Sequence, residues 1–92
     1  MPLDELIGLL ELTSISLKEQ FEEVAMDEAA YHRQFWTHWQ KLPVDISIAA
    51  MNRECEMECQ VRRESVILST SLRESLIAKQ QALIAVVAAR SR

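Results

Sequence analysis

The chain has 92 residues and a formal charge of -4; 49% are apolar, 26% charged, and there are only one Gly and two Pro. That leaves room for one domain with very few turn formers, which points to an all-α protein. Collagen, low-complexity disorder, disulfide scaffolds, glycine-loop nucleotide sites and multi-strand barrels are excluded, because each needs Gly, Pro, Cys or strand punctuation that is missing.

From the start of the chain, Leu3, Ile7, Leu10, Leu17, Phe21, Val24, Tyr31, Phe35 and Leu42 recur in alternating steps of four and three, with Ser14, Glu28 and His38 filling the same rhythm. This is a heptad seam about 40 residues long, which predicts a first helix over about 3–42, roughly 60 Å of rod. Ser16 and Glu19 form a capping-box pattern near Thr13 that could restart a helix. Continuity is favoured, since the seam keeps its phase there and no Gly or Pro interrupts it.

Pro43 disfavours helix in Leu42 before it and places a turn at about 43–46. Asp45 or Ser47 then caps a second helix over about 47–90, which meets no further breaker. Folded back about this turn, facing positions have numbers adding to about 90, as in an antiparallel, coiled-coil-like hairpin. Val24 then faces Val66, Tyr31 faces Cys59 and Ile7 faces Leu83, while Glu28 falls opposite Arg62. A lone buried charge is costly, so the Glu28–Arg62 pair reads as a device that sets the register or else as an accident, and the first is favoured.

Two helices enclose little volume, and apolar residues remain off this seam: Leu6, Leu9 and Leu12, Trp36, Ile67, Leu68, Ile77 and Ile84. They predict a further interface, most simply a homodimer of hairpins forming a four-helix bundle, or else docking onto a different protein. Trp36 either packs within the end of the bundle or anchors a partner.

Charge is lopsided along the chain. Residues 1–30 carry eight acids and one base, whereas residues 61–92 carry Arg62, Arg63, Arg73, Lys79, Arg90 and Arg92 against two acids. Pairing between the two ends is the first expectation; a basic second helix holding nucleic acid through those six residues is the alternative, and such binding weakens steeply with salt. The longest apolar runs, such as Ala82 to Ala89, fall well short of the roughly 20 residues a spanning helix needs. The acidic N-terminus is unlike a signal peptide, so a cytoplasmic location is expected.

Cys55 and Cys59 lie one helical turn apart, with His32 and His38 brought near by the fold-back, a superficial zinc inventory. Both thiols land on the seam, where packed core is the favoured reading over a zinc-stabilised hairpin. No nucleophile, base and orienting acid occur together in a recognisable motif, so neither enzymatic activity nor a cofactor is expected.

The stretch Ser47-Ile48-Ala49-Ala50-Met51-Asn52-Arg53-Glu54-Cys55, following the aromatic end of the first helix from Tyr31 to Trp39, resembles small helical-hairpin proteins of tailed phages of actinobacteria, a largely uncharacterised group. The Cys pair and Asn52 depart from that pattern. The resemblance implies a viral protein acting in a bacterial cytoplasm, with no catalytic residues to carry over.

Overall fold

The computed structural model describes residues 2–91. Three helices are found: α1 (Leu3–Lys41), α2 (Ile48–Glu58) and α3 (Gln60–Arg90). Asp4 and Glu5 in the first turn of α1, and His38 and Lys41 in its last, complement the helix dipole. The capping box near Thr13 does not restart the helix. Thr13 Oγ1 donates to the Leu9 carbonyl at 2.7 Å and Ser14 Oγ to the Leu10 carbonyl at 2.9 Å, so these hydroxyls bond back one turn and α1 runs through.

Leu42 is extended at φ -78, ψ 149, as the following proline requires, and its N–H donates to the Trp39 carbonyl at 3.2 Å. Of the two candidate caps, Ser47 is used: its Oγ accepts from the Ala50 N–H at 3.1 Å.

The single second helix expected over 47–90 is divided at Cys59, whose backbone lies at φ -96, ψ 11. Hydrogen bonding carries across the division, from the Cys59 N–H to the Cys55 carbonyl at 3.0 Å and from the Arg63 N–H to the Cys59 carbonyl at 2.9 Å. The cause is visible in the spacing of covered residues. Met51, Cys55 and Cys59 step by four, whereas Val66, Ser69, Arg73, Leu76, Gln80, Leu83 and Val87 alternate three and four. A change of period shifts the helix phase relative to its neighbour, and Cys59 absorbs that shift.

Among the described residues, three side-chain hydrogen bonds tie the returning helices to α1. Gln34 Nε2 donates to the Glu58 carbonyl at 3.2 Å, Gln20 Nε2 to the Ser69 carbonyl at 2.8 Å, and Gln80 Nε2 to Ser14 Oγ at 3.0 Å. Partners nearer the turn on α1 meet partners nearer the turn on the return, so α3 runs opposite to α1. The result is a rod of 67 × 18 × 16 Å. Its radius of gyration is 20.0 Å, against roughly 12 Å for a compact domain of this length.

The contact row on α1 differs from the expected seam in one half. Leu10, Leu17, Val24 and Tyr31 are covered as expected, but their companions are Leu6, Thr13, Gln20 and Asp27 rather than Ile7, Ser14, Phe21 and Glu28; toward the turn Gln34 and Phe35 are both half-buried. The helix is thus turned toward the residues one position earlier. Leu6, Leu17, Val24, Cys55 and Cys59 form the apolar core, with Thr13 and Ser69 buried beside them. These are mostly small side chains, which let two helices approach closely. Midway along the rod, a phenylalanine or glutamate at positions 21 or 28 would hold them apart. A glutamine amide there can instead bond a neighbouring carbonyl, and Phe21 moves to the flank, where the Arg73 guanidinium lies 5.2 Å above its ring.

Candidate interaction surface

Close pairing through small residues leaves bulky ones outside. Among the described residues, fifteen large apolar side chains are exposed, against the five in the core. Some of them, with polar residues, line grooves on two flanks of the rod, one on each side of the contact row.

The first flank carries the half of α1 that the row turned away from. Glu28, Tyr31 and His32 line a groove there with Glu56, Arg63, Val66 and Ile67. Helical spacing puts Ile77 and Ile84 on the same side of α3 as Ile67, and puts Ile7 and Phe21 on the matching side of α1. Toward the turn this flank ends in a chain of ring contacts. Tyr31 meets His32 at 5.5 Å and Phe35 at 6.1 Å; Phe35 in turn meets Trp36 at 5.2 Å and Trp39 at 6.2 Å.

The second flank has a different character. Glu19, Glu23 and Asp27 of α1 line a groove whose other wall is Leu68, Leu72 and Leu76 of α3, with Gln20 and Ser69 between them. Further toward the turn on this side, Arg62 lies with Ala30, Arg33, Gln34 and Thr37.

The sequence-derived interface residues separate accordingly. Trp36, Ile67 and Ile84 are exposed at 54%, 55% and 50%, whereas Leu9 and Ile77 are half-buried. Leu6 is a correction: at 6% exposure it belongs to the core, because the contact row passes through it rather than Ile7. Glu28 and Arg62 are a second correction. Both are exposed, they line grooves on opposite flanks, and no ion pair joins them among the described residues. The same turn of α1 accounts for this, and it is Arg63 that shares a groove with Glu28.

Of the basic residues considered for nucleic acid, Arg62, Arg63, Lys79 and Arg90 are exposed, and Arg73 is half-buried over Phe21. At about 100° per residue their positions spread around α3 instead of forming one stripe. Arg92 lies outside the described residues.

Cys55 and Cys59 are fully buried free thiols. Burial raises the Cys55 thiol above its ordinary value, and the neighbouring Glu54 carboxylate adds to the effect. Cys59 is raised by burial first, then by Cys55 and Glu58. Burial thus favours the neutral form of both thiols. Among the described residues no group of three or more His, Cys, Asp or Glu is arranged to hold a metal ion. His32 is exposed on the first flank and His38 is half-buried.

Sequence reasoning missed Gln20, Gln34 and Gln80. The signal was present: Leu6, Thr13, Gln20, Asp27 and Gln34 recur every seven residues, one position before the row through Ile7 and Phe21. Gln34 Oε1 is a buried oxygen with no hydrogen-bond partner, next to the division between α2 and α3.

The fold and its surface thus define an elongated, all-helical protein. No described helix is long and apolar enough to cross a membrane. Compared with protein-family models, curated proteins and solved structures, the chain matches none.

Proposed function

We propose that this chain is a non-enzymatic helical interaction protein: a coiled-coil-like hairpin that pairs with a second copy into a four-helix bundle and presents a helical face to a protein partner. The observation that carries this reading is the first flank, where Ile7, Phe21, Ile67 and Ile84 remain exposed along the rod and Trp36 stands at its aromatic end. Scattered apolar residues are ordinary on a surface, but several large ones gathered on one flank among polar groups favour association. A rod face of 67 by 18 Å exceeds the roughly 800 Å² per partner of a standard interface. The resemblance to small hairpin proteins of phages agrees with a role in binding, in a bacterial cytoplasm, and with a host or phage protein as the partner.

Mass measurement by light scattering or sedimentation across micromolar concentrations tests the pairing. A dimer is expected at twice 10.6 kDa. Ile77→Glu with Ile84→Glu should return it to a helical monomer. A wild-type chain that stays monomeric throughout that range would remove the self-association.

A further inference from the structure

The second flank has the chemistry of a different partner. Glu19, Glu23 and Asp27 are spaced four apart along one lip, and Leu68, Leu72 and Leu76 are spaced four apart along the other. Both rows run for about two turns, roughly 12 Å. Leu68 and Leu72 are 67% and 58% exposed, and no ion pair to any of the three carboxylates occurs among the described residues. The floor between the lips is already tied by the Gln20–Ser69 hydrogen bond at 2.8 Å, so the groove is preformed.

We infer that this groove binds a basic amphipathic helix from another protein, with Lys or Arg meeting the acidic lip and apolar residues covering the leucines. A second copy is a poor occupant. With the two grooves centred on each other, Arg33 and Arg62 of this flank lie beyond them; a two-fold axis across the rods then sets one acidic lip against the other, and an axis along them sets the acids over the partner's leucines. In both cases carboxylates lose water without gaining a cation. A helix carrying bases on one side and leucine-like residues on the adjacent side satisfies both lips at once. This deepens the interaction reading but uses the flank opposite the self-association face.

The probe is a fluorescein-labelled Leu/Lys peptide with leucines on one helical face and lysines on the other, followed by anisotropy at low salt. Glu19→Gln/Glu23→Gln/Asp27→Asn should weaken its binding by about tenfold or more, and Leu72→Ser by several-fold. A control of equal charge, Glu54→Gln/Glu58→Gln/Glu64→Gln, should change it by less than about twofold, because screening limits distant charges. Circular dichroism establishes that each variant keeps its helicity. The inference is overturned if the unaltered protein does not bind the peptide, if the two triple variants weaken it equally, or if Leu72→Ser has no effect. Ile77→Glu/Ile84→Glu separates the two proposals: it should disrupt the dimer while leaving peptide affinity intact. Loss of peptide binding in that variant alone would place the peptide on the wrong flank.

Discussion

Near the turn, α1 meets the returning chain over Cys55 and Cys59, both fully buried; midway along the rod it meets α3 over Gln20 and Ser69, where an amide donates to a carbonyl at 2.8 Å. One contact is dry and tight, the other polar and satisfied. The thiols tolerate neither charge nor bulk, since both are wholly removed from solvent. The glutamine contact tolerates polarity because the Ser69 carbonyl has a second lone pair to accept with, and Ser69 Oγ is itself bonded back to the Ser65 carbonyl at 2.9 Å. Close approach of two helices is thus reached through two chemistries within a single row.

The sharpest way to break this contrast is a charge among the thiols. Cys55→Asp should cost about 3–5 kcal/mol, enough to abolish a cooperative thermal transition, because the carboxylate would be buried without a partner. A circular dichroism melt close to the parent curve would show that the turn end is wetter than described.

Alkaline pH probes the same region more gently. Thiols raised in the folded chain keep their protons where unfolded thiols lose them, so their contribution is complete below the ordinary value of 9.0. It declines as pH climbs above that value. Stability should therefore be level from pH 7 to 8 in this respect and fall beyond about 9, and a Cys55→Ala/Cys59→Ala variant should lose that part of the decline in urea titrations.

Midway, Gln20→Leu removes one hydrogen bond but leaves no side-chain donor stranded, so a loss of about 1 kcal/mol is expected in the urea midpoint. Gln34→Leu sharpens the comparison further. Its amide reaches the Glu58 carbonyl at 3.2 Å while its own oxygen is buried unbonded. Gaining one contact and stranding one acceptor nearly cancel, so this variant should lie within about 0.5 kcal/mol of the parent. A penalty as large as that of Gln20→Leu would mean that Gln34 is fully satisfied in solution.

The helical class, the break at Pro43 and the Ser47 cap were legible because each rests on local chemistry: fixed proline torsion, a short hydroxyl, and an unbroken run of helix formers. The alternate rows on α1 were harder to separate. Leu10, Leu17, Val24 and Tyr31 belong to both, and hydrophobicity favours Ile7 and Phe21 as their companions over Leu6 and Gln20. Hydrophobic pattern ranks residues by their wish to leave water; it does not weigh how near two backbones can come. With Cys55, Cys59 and Ser69 on the facing helices, proximity decided the matter, and Glu28 was carried to the flank as a result. The division at Cys59 was written in the four-residue steps from Met51, but a helix without Gly or Pro gave no local reason to stop.

The turn at 42–47 reverses the chain once, so every rung of the rod encloses the rungs before it. Once the first rung has closed, each later one adds only a few residues of slack on either side, and loop entropy grows only logarithmically. The molecule should therefore assemble like a zipper from the turn outward and fray in the reverse order. Amide exchange then follows distance from Pro43: hydrogens near Leu6 and Val87 are replaced by deuterium early, and those flanking Cys55 are the last to go.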